Sequence, residues 1–161
     1  MKKLIYTLLV IIALTNNSFS AGTASNSSDA SSNYTKAYNL IKAAKKYEIK
    51  GKTEKAQKKY VKAQKLLLKS NKEKPLQADT LNYLGFTTRK LGDYEKGEEF
   101  YLQGLQIEPN HNGINEYLGE LYIVTNRMDL AKERLYVLKS CNCKEYKQLK
   151  EIIDGTKKSK Y

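Results

Sequence analysis

The stretch from Ala78 to His111, ADTLNYLGFTTRKLGDYEKGEEFYLQGLQIEPNH, decides the fold of this chain. Its landmarks are a Leu-Gly pair, a turn, an aromatic residue and a terminal proline, at Leu84-Gly85, Gly92-Asp93-Tyr94, Tyr101 and Pro109. The same frame returns in residues 112–145, where Tyr117-Leu118-Gly119 repeats Tyr83-Leu84-Gly85 after 34 residues. A fixed period of this length is typical of stacked supersecondary units.

These two stretches resemble tetratricopeptide repeats, in which each unit is a pair of antiparallel helices. Tyr122 and Ala131 fill the aromatic and small positions of the later stretch. Small residues let neighbouring helices approach closely, and stacked repeats build one continuous apolar core. Gly97 and Gly104 stand where the family usually has alanine, which indicates either unusually close packing or a soft middle repeat.

A weaker first repeat precedes them at about 37–77, followed by repeats at 78–111 and 112–143. In the first repeat, Gly51, Ala56, Tyr60 and Ala63 fit the turn, small and aromatic positions. Its second helix is longer than that of its neighbours by about two helical turns, which keeps the buried face in register. We therefore predict one long helix from Thr53 to about Asn71.

A cap helix over 144–155 is predicted after the last repeat, because Tyr146, Leu149, Ile152 and Ile153 share one helical face. The fold class that follows is all-α: a right-handed α-solenoid of three helix-turn-helix repeats plus a C-terminal capping helix. The repeat domain spans 34–155, and residues 156–161 form a basic tail.

The N-terminal segment predicts export. Lys2 and Lys3 precede an apolar run from Leu4 to Leu14, and the small residues Ser18 and Ser20 suit a cleavage site after position 20. Residues 1–20 are therefore a predicted signal peptide, and the apolar run is too short to span a bilayer. Residues 21–33 are rich in Ser, Ala and Asn, which predicts a disordered leader. We expect a periplasmic or secreted protein without a transmembrane span after cleavage.

Charge is distributed unevenly along the chain. Residues 36–74 hold 14 lysines and 3 glutamates, whereas residues 78–161 hold 13 basic and 13 acidic residues. The lysines indicate either an ordinary solvated face or a surface for anionic lipid, lipopolysaccharide or an acidic protein. No RNA-binding motif with aromatic stacking residues is present, so nucleic acid is not an expected partner.

The family resemblance implies a concave groove, lined by the first helix of each pair, that takes a peptide or helix of a protein partner. The groove residues it implies, by repeat position, are Ile41, Lys45, Glu48, Asn82, Phe86, Arg89, Lys90, Glu116, Glu120 and Ile123. The Lys and Asn arrangement with which some family members clamp a C-terminal carboxylate is not reproduced.

Catalysis has little support in the sequence. No phosphate-binding loop, metal-ligand spacing or nucleophile motif is present, so we expect a non-enzymatic protein with no cofactor and no metal. The single histidine, His111, falls in a turn between repeats, where we expect it to be solvated.

Two cysteines, Cys141 and Cys143, precede the cap helix. In an oxidising compartment they can form a local disulfide, remain as free thiols or bond another chain, and a redox-active pair is a further alternative. A repeat followed by a cysteine pair and Glu-Tyr-x-x-Leu also resembles a group of bacterial exported tetratricopeptide proteins. The closer spacing here departs from that group.

Overall fold

Seven α-helices account for the fold of residues 26–159, the part of the chain that the computed structural model describes. In chain order the helices are α1 (Asn26–Ile49), α2 (Thr53–Glu73), α3 (Ala78–Lys90), α4 (Tyr94–Ile107), α5 (Asn112–Val124), α6 (Met128–Leu138) and α7 (Lys144–Ile153). No helix among them is long and apolar enough to cross a lipid bilayer. The predicted signal peptide lies outside the described residues.

The helices pack as consecutive pairs. α1 packs on α2, α3 on α4 and α5 on α6, while α7 packs on α5 and α6. The odd-numbered helices also contact one another, α1 with α3, α3 with α5 and α5 with α7. This arrangement confirms the predicted all-α solenoid, with α7 in the place that the first helix of a fourth pair would take.

Two buried clusters form a core along the stack. The first joins α1, α2 and α3 around Tyr60 and Leu67, and the second joins α4, α5 and α6 around Tyr101 and Leu118. Tyr60 and Tyr101 are both fully buried aromatic positions of the predicted repeats.

Close helix packing explains the glycines at positions where alanine is usual. A Cβ at Gly97 would lie 3.1 Å from the carbonyl oxygen of Gly85, and one at Gly104 would collide with Ile114. The structure therefore supports unusually close packing at these glycines, which is one of the two predicted alternatives, and not a soft middle repeat.

The turns confirm the repeat register. Gly92 between α3 and α4 has a φ of 98°, and Asn126, 34 residues later between α5 and α6, has a φ of 60°. Asn is among the few residues that tolerate this left-handed region. The predicted long helix of the first repeat is also present, as α2.

The first helix begins earlier than the sequence indicates. α1 starts at Asn26, so residues 26–33 are helical although their composition predicts a disordered leader. The Asn33 side chain donates to both carboxylate oxygens of Glu73 at 3.1 and 3.3 Å, and the Tyr34 ring packs 6.0 Å from that of Tyr83. Extending a helix that is already anchored is much easier than nucleating one, which explains the difference.

Candidate functional site: the groove between the odd-numbered helices

A pocket of about 320 Å³ opens between α1, α3, α5 and α7. We call it the groove pocket. Its lining comprises Lys45, Glu48, Ile49, Phe86, Lys90, Glu116, Tyr117, Glu120 and Gln148. The odd-numbered helices lie on the same side of the stack, and each contributes one face to the groove pocket. Ile49 at its rim is 86% exposed, which makes it an accessible apolar contact.

Ion pairs hold opposite walls of the pocket in place. Lys90 Nζ lies 2.6 Å from Glu48 Oε1 and so links α3 to α1. The Tyr60 hydroxyl donates to Glu48 Oε2 at 2.8 Å. Glu48 therefore has a partner on each oxygen.

A second ion pair lies beneath the pocket. Arg89 donates from Nη1 to the carbonyl oxygen of Tyr117 at 2.7 Å, and its Nη2 lies 3.3 Å from Glu120 Oε2. Both side chains are almost completely buried. Arg89 thus joins α3 to α5 inside the stack.

Lys45 lies against the aromatic wall. Its ammonium is 4.4 Å from the centroid of the Phe86 ring and donates to the Tyr117 hydroxyl at 3.0 Å. A cation over an aromatic face is attracted by the ring quadrupole. The pocket therefore already accommodates one alkylammonium group.

Glu116 is an acidic residue of the pocket whose pKa is shifted far from its ordinary value. Burial first, and then the nearby Glu120 and Glu145 carboxyls, raise the pKa of Glu116 to about 8, while Lys45 and Arg89 act in the opposite direction. A carboxyl with this pKa is mostly protonated at neutral pH.

Comparisons with known proteins place this geometry among helical repeats. No family model matches the chain. The sol locus transcriptional repressor of Clostridium acetobutylicum is 39% identical over 74 residues, which is 43% of this chain but 23% of that protein. The match therefore spans less than a quarter of that relative.

Solved structures give broader matches. The first tetratricopeptide domain of Spaghetti (RPAP3), bound to an HSP90 peptide, has a TM-score of 0.54 at 17% identity, covering 76% of this chain and 94% of that chain. The Yersinia enterocolitica type III secretion translocator chaperone SycD has a TM-score of 0.54 at 16% identity, covering 75% and 88%. A CopN–Scc3 complex gives 0.50 at 17%, covering 76% and 69%. This chain has the tetratricopeptide-repeat fold.

Six of the ten residues predicted for the groove line the groove pocket: Lys45, Glu48, Phe86, Lys90, Glu116 and Glu120. The other four do not line the pocket. Ile41 is 1% exposed and packs in the first core cluster. Arg89 and Asn82 are also buried, and half-buried Ile123 packs against the second cluster. Rotation of each helix about its axis decides these positions, and repeat position alone does not fix that rotation.

Three lining residues were not predicted. Tyr117 belongs to the repeated Tyr-Leu-Gly framework. Ile49 follows Ala37 by 12 residues, as Lys90 follows Ala78, so its repeat position was the signal that could have identified it. Gln148 lies on α7, which the sequence indicated only as a cap. The helical spacing of Tyr146 and Leu149 gave a signal that α7 has an inner face.

Outside the groove, two predicted features have a definite structure. Cys141 and Cys143 are bonded to each other, and Cys143 is the residue that precedes α7. His111 is not simply solvated: its Nδ1 accepts the Ile114 backbone N–H at 3.1 Å, which caps α5, and its Nε2 lies 3.2 Å from Asp79. This histidine has a structural role at a helix start.

Proposed function

We propose that this protein is a non-enzymatic interaction module of the bacterial envelope that holds a peptide or a helix of a partner protein in the groove pocket. The observation that carries the proposal is the open pocket between the odd-numbered helices, with apolar Ile49 exposed at its rim. A solved structure of the same fold contains a bound peptide, which supports this use of the groove.

The test needs a groove variant that leaves the core intact. Phe86 and Arg89 are unsuitable because both are buried and hold helices together. Ile49→Lys places a charge at the pocket rim, and Tyr136→Lys places the same charge on α6 at a side chain that is 77% exposed. Crosslinking in cells followed by mass spectrometry identifies the partners of the wild type and of each variant.

We expect a dominant partner to be recovered with the wild type and with Tyr136→Lys, and to be lost with Ile49→Lys. Identical partners for all three proteins would contradict groove binding. The export part of the proposal rests on the basic and apolar pattern of residues 1–20. Fractionation and N-terminal sequencing test it, with Ala21 as the expected first residue of the mature chain.

A second candidate function is supported by one face of α2. Lys55, Lys58, Lys62, Lys65, Lys69 and Lys72 follow a spacing of three and four residues, so they lie within about 100° of helical arc. We call this the α2 lysine face. It lies away from the buried stripe of Ala56, Tyr60, Ala63 and Leu67. Val61 and Leu68 beside it are 40% and 48% exposed.

The candidate occupant of the α2 lysine face is an anionic membrane surface. Lysines near anionic lipid each contribute about 1 kcal/mol, and neighbouring aliphatic side chains can enter the headgroup region. Triple charge reversal at Lys62, Lys65 and Lys69 to Glu should abolish binding to phosphatidylglycerol vesicles at low salt. The matched control reverses Lys132, Lys139 and Lys147. Equal vesicle binding by both variants, or none by the wild type, would contradict this function.

A further inference from the structure

The groove pocket contains three carboxyl groups, and two of them have basic partners. Glu48 pairs with Lys90, and Glu120 pairs with Arg89. Glu116, one helical turn before Glu120, lines the same pocket at 5% exposure. Within residues 26–159 its carboxyl makes no hydrogen bond or ion pair. A carboxyl that lines a pocket and has no partner in the protein can accept from a donor group on a bound guest.

The surroundings of Glu116 define what that donor is. The charged groups that act on it are Lys45 from α1, Arg89 from α3, Glu120 from its own helix and Glu145 from α7. The negative charge of Glu116 also helps to raise the pKa of three phenols, those of Tyr83, Tyr101 and Tyr117. Arg89 is engaged by Glu120 and Lys45 by Tyr117. When Glu116 ionises, it adds a negative charge beside two other carboxyls.

We propose that Glu116 is the specificity residue of the groove and that it receives the ammonium or guanidinium group of a lysine or arginine on the bound segment. This inference rests on the proposed function, since it names the chemistry of the segment in the same groove. Lys45 against Phe86 shows that these walls accept an alkyl chain ending in a cation. Ile49 at the rim offers an apolar contact for the stem of the guest side chain.

Binding of such a guest is linked to loss of the Glu116 proton. Burial raises the pKa of the free carboxyl to about 8, so only a minor fraction is ionised at pH 6. Because the apparent affinity scales with the binding-competent fraction, it should increase by about tenfold per pH unit up to about pH 8. An acidic guest would show no such increase.

The first experiment selects peptides from a random heptapeptide phage library at pH 8. The baits are the purified wild type, Glu116→Gln, Ile49→Lys and the control Glu108→Gln, which removes an exposed carboxyl at the end of α4. We expect wild type and Glu108→Gln to enrich peptides with a lysine or arginine at one fixed position. Glu116→Gln should lose that preference.

Two outcomes separate this inference from the proposed function. If every peptide that the wild type enriches is also enriched by Ile49→Lys, groove binding itself fails and this inference fails with it. If peptides are enriched through the groove but lack a basic residue, or carry an acidic one, only the role of Glu116 is overturned.

The second experiment alters the guest and leaves the protein unchanged, so it does not depend on the folding of a variant. An enriched peptide is resynthesised with its lysine replaced by norleucine, which keeps the alkyl chain and removes the charge. We expect the parent peptide to bind at least tenfold more tightly at pH 8 than at pH 6, and the norleucine peptide to bind equally at both. Equal pH dependence of the two peptides would overturn the proposal.

Discussion

Arg89 and Glu120 form an ion pair inside the stack, with Nη2 3.3 Å from Oε2 and side-chain exposures of 0% and 5%. Arg89 lies on α3 and Glu120 on α5, so the pair joins the second and third repeats. The second guanidinium nitrogen donates to the backbone carbonyl of Tyr117. The pair thereby fixes the two helices that form the floor of the groove pocket.

Breaking this pair should be strongly destabilising. Glu120→Ala leaves a buried guanidinium without its carboxylate, and we expect a loss of about 3–5 kcal/mol in the free energy of unfolding. Arg89→Met combined with Glu120→Leu should recover most of it, because no buried charge remains. Chemical denaturation measures both variants. The control is Glu54→Ala at the exposed Lys58–Glu54 pair, where the expected change is below about 1 kcal/mol. Equal losses at the two sites would contradict this prediction.

Glu116 should make stability depend on pH. Its folded pKa of about 8 lies above its ordinary 4.5. Below pH 4.5 both states are protonated. Between pH 4.5 and about 8 the unfolded state releases the proton and the folded state keeps it, so stability falls as pH rises. Glu116→Gln should remove this slope, with a gain over wild type on the order of 4 kcal/mol at pH 8 and little at pH 4.5. Parallel pH profiles of unfolding free energy for the two proteins would refute it.

Gly85→Ala should destabilise the protein, although alanine normally favours a helix over glycine by about 1 kcal/mol. A Cβ at this position would lie 2.5 Å from Cε1 of Tyr101. Overpacking of this kind costs about 1–3 kcal/mol. In thermal and chemical unfolding, combining Gly85→Ala with Tyr101→Val should cost less than the sum of the two single changes, since the smaller side chain makes room. A stabilising Gly85→Ala would show that the helices separate readily.

Two buried tyrosines should respond differently to loss of their hydroxyl groups. The Tyr101 hydroxyl is buried and has no hydrogen-bond partner among the described residues, whereas that of Tyr60 donates to Glu48. Tyr101→Phe should therefore be neutral or stabilise by about 1 kcal/mol, and Tyr60→Phe should destabilise by about 1–2 kcal/mol. Because both side chains are completely buried, each serves as the control for the other. Equal unfolding free energies for the two variants would contradict the assigned partners.

Some local features became interpretable only through contacts between helices. Thr88 replaces the usual aromatic residue of the repeat, and the sequence offered no reason for it. In the structure its Oγ1 accepts a hydrogen bond from Gln64 Nε2 at 2.8 Å, which ties α3 to α2. Gln57, seven residues before Gln64 on the same face of α2, donates to the carbonyl oxygen of Lys90. These two hydrogen bonds link the first repeat to the second.

The sequence by itself determined the solenoid. The 34-residue period, the small residues at Gly85 and Gly119 and the apolar face of α7 reflect packing that every stacked helix pair must satisfy, so they are visible without coordinates. What only the tertiary structure decided is the direction of each charged side chain. Arg89 and Lys90 are neighbours in sequence, yet successive residues on a helix are rotated by about 100°. One therefore pairs with Glu120 inside the stack, while the other faces Glu48 in the groove.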